Sequence, residues 1–270
     1  MAATASCPAY VTGLFLIGDK DAVGAGFGIG KHLTTIVSEK KSGRTTITLN
    51  GQEGALPVSK AVLRRYMEKG CRLGLLDIQH ATEVPVGFGL GMSAAGALSL
   101  SLALNEQLGA GLPREECIKI AHDADVECGT GLSGVDAAAI GGMLARRSPS
   151  EQPLQLPFEE RALEIAFYTP IKTSSVINSA EWKKRVNAAG KEALDLLFVN
   201  RNWEGLVASS RQFAQKSGLA DWCAHEMGSN PRASMAMLGH TLFSDIPMFL
   251  SRKPFMLMKA KTAQDGAKLL

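Results

Sequence analysis

The chain of 270 residues is long enough for one large domain or two modest ones. Apolar residues make up 46% of it, which excludes global disorder and supplies a proper hydrophobic core. With 29 basic and 26 acidic residues, the net charge of +3 is too balanced to predict binding to nucleic acid or to a membrane surface.

The cysteines and histidines give no sign of a metal or redox centre. The five cysteines are an odd number without a Cys-x-x-Cys pair, which favours a reduced, cytoplasmic compartment. No two of the five histidines stand at zinc-ligand spacing. We expect no signal peptide, because residues 1–8 lack a basic start and an apolar segment. We expect no membrane span either, because no apolar run approaches about 20 residues.

Residues 9–84 predict strands, one glycine-rich turn and a helix. A strand is expected at 9–17, with Gly13 marking a bulge or a close backbone approach, and the turn at 24–30 leads into a strand at 33–37. The alternation over residues 44–49 predicts a hairpin across a turn at 41–43. Apolar spacing over 58–68 is typical of a surface helix, and an extended run follows at 75–84.

A glycine-rich stretch at residues 85–95 organises the chain. Its glycines at alternate positions let the backbone turn and approach a ligand without a Cβ in the way: Gly87, Gly89 and Gly91. Ser93 stands where the N-cap of a following helix is expected. A glycine loop that feeds a helix N-terminus presents free backbone N–H groups and a partial positive charge, so it is typical of an anion site. The same pattern also fits an ordinary tight connection into a buried helix.

Two helices follow this loop. The first, at 94–108, is apolar nearly all round, which predicts a place in the core. The second, at 114–128, carries three carboxylates: Asp123, Asp125 and Glu127. A glycine-containing break at 129–134 ends it, and an apolar strand is expected at 143–145.

Residues 148–157 are polar and contain three prolines, which favours a domain boundary with domains at 1–155 and 156–270. The second part predicts a strand at 163–168, helices at 180–199, 203–216 and 219–227, a small-residue turn into a helix over 233–243, and a last strand at 255–261. Strands and helices alternate without a long parallel repeat, so the fold class is predicted to be α+β.

The stretch Pro-x-x-x-Gly-Leu-Gly-x-Ser-Ala-Ala, from Pro85 to Ala95, resembles the phosphate-binding motif of the GHMP kinase superfamily, with Met92 replacing the first of its two usual serines. No P-loop and no Gly-x-Gly-x-x-Gly dinucleotide motif fits the chain. The resemblance therefore predicts ATP as the ligand of the glycine loop.

Further stretches resemble one branch of that superfamily, the archaeal pantoate kinases. They follow the family's order along nearly the whole chain: Pro8-x-x-Val11-Thr12-Gly13-x-Phe15, Gly24-Ala25-Gly26, residues 121–126 with Thr130-Gly131-Leu132, residues 170–175, and Met237-Leu238-Gly239. The resemblance implies a GHMP kinase fold with an N-terminal domain like domain 2 of ribosomal protein S5 and a C-terminal ferredoxin-like domain. It also implies ATP-dependent phosphorylation of the 4-hydroxyl of (R)-pantoate in coenzyme A synthesis.

The chain departs from the family pattern at several positions. Ala9-Tyr10 stands where Gly-His is usual, Ala22 stands for a serine, and the usual metal-binding Glu falls on Asp125. The acidic residue expected at Gly134 is absent, with Asp136 two positions further on. Two alternatives stay open: a kinase of another alcohol such as homoserine or a mevalonate derivative, and a non-catalytic nucleotide-binding homologue.

The nucleotide site is predicted from the glycine loop and the helix behind it. Its expected ATP-binding residues are Pro85, Gly87, Gly89, Leu90, Gly91, Met92, Ser93, Ala94 and Ala95. Mg²⁺ prefers hard oxygen ligands, and Ser93 and Asp125 are the predicted ones. Residues two apart point to different faces of a helix, so only one of Asp125 and Glu127 can face the loop. The resemblance favours Asp125 through its register with Thr130-Gly131-Leu132, and a solvated helix face is the alternative for both.

The acceptor site needs a proton acceptor and a cation for the substrate carboxylate. Asp136 is the predicted catalytic carboxylate, with a helix cap as the alternative. Arg146, with Lys172, Thr173 and Ser174, is predicted to hold the carboxylate, although Arg146 fits a surface position equally well. The resemblance adds further substrate-binding residues: Tyr10, Gly24, Ala25 and Gly26. A homodimer is one assembly left open.

Overall fold

The structure is a computed structural model, which describes residues 2–18 and 21–270. Its centre is a long antiparallel pair of strands, β1 (Ala3–Ile17) and β2 (Ala22–Glu39). The two strands pair from Ala3 opposite Val37 to Ile17 opposite Ala22, and the register skips Gly13. The bulge predicted at Gly13 is therefore confirmed.

β2 is the hub of the sheet. It pairs with β1, β5 (Leu76–Thr82), β6 (Met143–Arg146) and β11 (Met256–Ala263). Beyond β5 lie β3 (Thr46–Leu49) and β4 (Gln52–Glu53), and β7 (Leu154–Gln155) pairs with β6. β11 carries the sheet on to β8 (Ala162–Thr169), β10 (His240–Ser244) and β9 (Ser234–Met235), whereas β12 (Lys268–Leu269) returns to β1. β12, the last strand in sequence order, thus lies in the same sheet as β1 and β2.

The helices cover this sheet. Their bounds are α1 (Pro57–Glu68), α2 (Met92–Gln107), α3 (Arg114–Glu127), α4 (Gly134–Ile140), α5 (Ser174–Ile177), α6 (Ala180–Val199), α7 (Trp203–Ser217) and α8 (Ala224–Ser229). α2 is buried along residues 94–104 and packs on β1, β2, α1, α3 and α4, so its predicted place in the core is confirmed. α6 begins and ends as predicted, with the Ser179 side chain accepting from the Trp182 N–H at its start. None of the helices in the described ranges has the length and apolar character that crossing a membrane requires.

The turn predicted at residues 24–30 is wrong, because these residues lie inside β2. Their glycines serve close packing instead of chain reversal. A Cβ at Gly24 would lie 2.8 Å from the Phe15 Cα on β1, and one at Gly26 would lie 2.6 Å from the Tyr10 ring. A glycine pattern that looks like turn chemistry can equally allow two strands and a ring to approach each other.

Two further local predictions are wrong for a tertiary reason. Residues 44–49 do not form a hairpin with the preceding strand, since β3 pairs parallel with β5, which lies between it and β2. Residues 233–243 form the short strands β9 and β10 with a turn at 236–239 instead of a helix. Met235 and Phe243 are fully buried there, and pairing of β10 with β8 outweighs local helix propensity.

A series of buried, hydrogen-bonded polar side chains, the His80 network, joins β5, β2, α1 and α2. His80 on β5 is fully enclosed, with Nδ1 2.8 Å from the Thr35 hydroxyl and Nε2 3.0 Å from the Ser59 hydroxyl. Thr35 contacts the Ser99 hydroxyl at 2.6 Å, and Ser99 donates to the Ala95 carbonyl at 2.8 Å. Burial lowers the pKa of His80 to about 4, so the imidazole is neutral at physiological pH.

Candidate active site

A cavity of about 290 Å³ opens where the glycine loop, residues 85–91, meets the start of α2. We call it the loop cavity. Strand β1, residues 128–134, residues 171–174 and the turn at 237–238 supply its other walls. Seven of the nine predicted ATP-binding residues line it: Gly87, Gly89, Leu90, Gly91, Met92, Ser93 and Ala94. Pro85 and Ala95 do not line it, and Ala95 is fully buried inside α2.

The glycine loop needs its glycines. Gly87, Gly89 and Gly91 have φ angles of 89°, 84° and 67°, which lie in the left-handed region that side chains disfavour. A Cβ at Gly89 would also lie 2.8 Å from the Gly239 N, and one at Gly239 would collide with the Phe88 carbonyl. The loop therefore packs backbone to backbone on the turn after β9.

Hydrogen bonds tie both sides of the loop to the rest of the fold. The Tyr10 N–H on β1 donates to the Leu90 carbonyl at 3.1 Å. The Ile171 N–H, just after β8, donates to the Gly87 carbonyl, also at 3.1 Å. Glycine backbone has few conformational restrictions of its own, so these two hydrogen bonds hold the loop in one conformation beside the cavity.

Ser93 is not the N-cap that the sequence predicts. α2 begins at Met92, Gly91 takes the cap position in a left-handed conformation, and Ser93 lies in the first turn. Its hydroxyl donates to the Asp125 carboxylate, whereas an N-cap hydroxyl accepts from a backbone N–H of its helix. The first N–H groups of a helix have no partner inside the helix, so the start of α2 directs unpaired donors at the cavity.

Asp125 on α3 is the buried carboxylate of the loop cavity, and only 2% of it is exposed. The Thr130 hydroxyl also donates to it, and a Cβ at Gly131 would collide with its Oδ2. Burial raises the pKa of Asp125, while the hydrogen bonds from Thr130 and Ser93 and the nearby His122 oppose that rise. The carboxylate is thus enclosed, and its Oδ2 packs so closely on residue 131 that only glycine fits there.

The other two carboxylates of α3 face elsewhere. Glu127 is exposed and pairs with Arg64 and Arg65 on α1. Asp123 pairs with Lys119 at 3.0 Å on the same surface. Of the three acidic side chains, Asp125 alone lines the loop cavity.

A smaller pocket of about 50 Å³ adjoins the loop cavity and contains Asp136 and Arg146. We call it the side pocket. The two spaces share lining residues: Tyr10, Thr12, Phe15, Ala22, Ser133 and Gly134. Asp136 lies in the first turn of α4, with Oδ2 3.9 Å from His122 Nδ1. Burial raises the pKa of Asp136, with a further contribution from Asp21, while His122 and Arg146 oppose the rise.

Arg146 closes β6 and is held by the turn between β1 and β2. Its Nη2 donates to Asp21 Oδ1 and to the Ala22 carbonyl, both at 2.7 Å. Asp21 could not be predicted from the sequence, because an acidic residue between two strands is typical of a solvent-exposed turn and nothing local connects it to residue 146. Only the pairing of β2 with β6 brings them together.

The remaining predicted substrate residues fall into separate groups. Gly24 and Ala25 line the side pocket, whereas Gly26 lines neither space and makes room for the Tyr10 ring. Tyr10 is buried between the two spaces, and burial raises its pKa. Lys172, Thr173 and Ser174 lie in the loop cavity and not beside Arg146.

Comparisons with known proteins show the family to which this chain is related. The family model of the GHMP kinases N terminal domain matches residues 57–142. The pantoate kinase of Methanocaldococcus jannaschii is 30% identical over 252 residues, which cover 87% of this chain and 90% of the relative. The pantoate kinase of Methanospirillum hungatei is 29% identical, over 89% of this chain and 86% of the relative.

The fold has a similarly complete match. A solved structure of a phosphotransferase related to the CoA biosynthesis pathway superposes with a TM-score of 0.84, over 100% of this chain and 98% of that chain, at 21% identity. The predicted α+β class and GHMP kinase fold are confirmed. With 30% identity across 90% of a relative's length, the chain belongs to the pantoate kinase family of the GHMP kinases.

Proposed function

We propose that this chain transfers the γ-phosphoryl group of ATP to the 4-hydroxyl of (R)-pantoate, giving 4-phosphopantoate for coenzyme A synthesis. The observation that carries the proposal is the pair of adjoining spaces, one lined by backbone donors of the glycine loop and the other containing Arg146 and Asp136. Pantoate is a small hydroxy acid, so it needs such a cation and proton acceptor close together. Membership of the pantoate kinase family supports the same acceptor.

The loop cavity suits the triphosphate. Phosphoryl transfer requires mainly that the phosphates be positioned and their charge be neutralised. Backbone N–H groups of the glycine loop and the first turn of α2 supply donors, and the α2 dipole adds partial positive charge. Lys172 lines the same cavity, so we assign it to the nucleotide phosphates instead of to the acceptor carboxylate.

The residues around Asp125 fit Mg²⁺. Asp125 and Ser93 would hold it, because both line the loop cavity beside the start of α2 and offer hard oxygen ligands there. No cluster of three or more His, Cys, Asp or Glu side chains occurs in the described part of the chain. That fits a cation that takes one or two protein ligands plus phosphate oxygens and water. When bound, Mg²⁺ supplies charge neutralisation for the phosphates.

The side pocket suits the acceptor. Arg146 would bind the pantoate carboxylate, and the apolar side chains of Phe15, Val23 and Leu144 would contact its dimethyl carbon. Asp136 would accept the proton of the 4-hydroxyl as the alcohol oxygen attacks the γ-phosphorus. The bond from that phosphorus to the bridging oxygen breaks and ADP leaves. The raised pKa of Asp136 makes it a better base than an exposed carboxylate.

The test is ADP release from ATP and Mg²⁺ with a panel of alcohols: (R)-pantoate, homoserine and mevalonate. We expect the highest kcat/KM with (R)-pantoate and a product whose mass has increased by one phosphoryl group. A higher kcat/KM with homoserine or mevalonate would reassign the acceptor. Nucleotide binding without turnover of any alcohol would instead support a non-catalytic homologue.

The division into domains 1–155 and 156–270 stays a prediction, and so does a homodimer. Limited proteolysis would test the first at the polar segment 148–157, and sedimentation would test the second. The return of β12 to β1 means that a cut near residue 155 should leave the two fragments associated.

A further inference from the structure

The turn between β1 and β2 carries a carboxylate with a fixed orientation. Within it, the Gly18 N–H donates to the Asp21 carbonyl at 2.8 Å. Oδ1 of Asp21 accepts from the Ala22 N–H at 2.7 Å, which holds the side chain against its own backbone. A Cβ at position 18 would lie 2.6 Å from the Asp21 carbonyl oxygen, so this turn requires glycine there.

The same carboxylate oxygen holds Arg146 by one nitrogen. Nη2 has two hydrogens, and it donates to Asp21 Oδ1 and to the Ala22 carbonyl, each at 2.7 Å. Nε and Nη1 have no hydrogen-bond partner among the described residues. The guanidinium is therefore anchored at one corner and keeps its other N–H groups for a ligand.

Asp21 contacts this guanidinium from outside the side pocket. Arg146 lines the pocket with a side chain that is 13% exposed, whereas Asp21 is not part of the lining. A ligand in the pocket would thus meet Arg146 and not Asp21. The carboxylate does not occupy the ligand's place; it holds the arginine that faces the ligand.

We infer that Asp21 is a positioning residue for the acceptor, which fixes Arg146 so that Nε and Nη1 can meet the acceptor's carboxylate. This inference rests on the proposed function. An arginine that is oriented beforehand loses less conformational freedom on binding. Asp21 also repels an anionic acceptor, and the inference requires that the orientation of Arg146 outweighs this repulsion. The two effects have opposite signs on KM, which makes the inference testable.

The experiment measures steady-state kinetics of Asp21→Ala and Asp21→Asn with ATP and (R)-pantoate. Asp21→Ala should raise the KM for pantoate roughly tenfold while leaving the KM for ATP near wild type. It should change kcat much less than KM, because Asp21 is the smallest of the influences on the pKa of Asp136. Asp21→Asn keeps an acceptor oxygen and should raise the KM for pantoate less. Asp195→Ala is the matched control, since it removes the partner of the neighbouring Arg147 at 3.2 Å on the surface and should change neither KM.

A double-mutant cycle separates positioning from a general loss of structure. Adding Asp21→Ala to Arg146→Ala should raise the pantoate KM no further, because Asp21 acts through Arg146. An unchanged or lower KM in Asp21→Ala, or an additive rise in the double variant, would overturn the inference alone. A wild-type chain without pantoate turnover would overturn the proposed function as well. Thermal unfolding of each variant checks the fold, and Asp21→Asn remains informative if the alanine variant is unstable.

Discussion

The loop cavity and the side pocket are built by different means. Backbone shapes the first, through three glycines with positive φ and the start of α2. Side chains shape the second, since Asp136 and Arg146 come from separate elements and are oriented by further side chains such as Asp21. A site built from backbone depends less on the side chains that it carries, and Met92 in place of the usual serine leaves the three glycines unchanged. A pocket built from side chains changes its ligand preference with each replacement.

The departures from the family pattern follow this difference. Tyr10, Ala22 and Gly134 all lie on the shared border of the two spaces, next to the side pocket. None of them belongs to the glycine loop. Two other departures, Met92 and Asp125, lie in the loop cavity, but they replace side chains and leave the glycine backbone unchanged.

The largest expected effect tests the side pocket. Asp136→Asn should lower kcat by about 100- to 10,000-fold with little change in either KM, because loss of a general base acts on the transition state. Steady-state kinetics with ATP and (R)-pantoate measures it, and Asp123→Asn on the surface of α3 is the control. Near-full kcat in the folded Asp136→Asn variant would mean that positioning and charge neutralisation suffice for transfer.

The next effect tests the loop cavity at its buried carboxylate, Asp125. Asp125→Asn should lower turnover at saturating Mg²⁺ by roughly 100-fold, since charge stabilisation of the transferring group is lost. Glu127→Gln is the matched control, because Glu127 pairs with Arg64 and Arg65 away from the cavity. If the two variants ranked in the opposite order, the metal site would lie on the α1 side of α3.

A smaller effect distinguishes the two spaces by substrate. Arg146→Ala should raise the KM for pantoate about 10- to 100-fold, the loss expected for a charged hydrogen-bond partner, and leave the KM for ATP nearly unchanged. Arg147→Ala serves as control, since Arg147 pairs with Asp195 and lies over the Phe198 ring. A rise confined to the KM for ATP would reassign Arg146 to the nucleotide.

The last prediction concerns stability at low pH and is expected to have the smallest effect on activity at neutral pH. It involves His80, which is hydrogen-bonded through Thr35 to Ser99 of α2. Its pKa is about 4 in the folded chain against an ordinary 6.5, so the unfolded chain binds the proton first as pH falls. The free energy of unfolding should therefore drop as pH falls below about 6.5 and level off near pH 4, with a total loss of about 3 kcal/mol. Denaturant unfolding of wild type and His80→Gln measures it.

In His80→Gln this part of the pH dependence should disappear, while exposed His225→Gln should keep it. An equal slope in wild type and His80→Gln between pH 4 and 6.5 would show that other groups carry the dependence. The result concerns the loop cavity, because the His80 network ends at the Ala95 carbonyl in α2, the helix that begins at that cavity.

Sequence by itself determined the features that depend on short-range chemistry. The glycine loop, the buried α2 and the bounds of α6 follow from spacing, glycine freedom and apolar periodicity, all of which act within a few residues. The wrong predictions arose where a local pattern serves two structures. The glycines at 24–30 have a pattern typical of a turn, but they allow close strand packing. Ser93 has a position typical of a helix cap, but it donates to Asp125.

Only the tertiary structure decided which side chains share a pocket. Asp21 meets Arg146 across 125 residues because β2 pairs with β6, and Gly89 meets Gly239 because the turn after β9 packs on the glycine loop. Strand partners and backbone contacts of this kind are set by packing of the whole core, not by the residues next to them. The arrangement of side chains in the side pocket therefore depends on the tertiary fold, whereas the glycine loop can be predicted from the sequence alone.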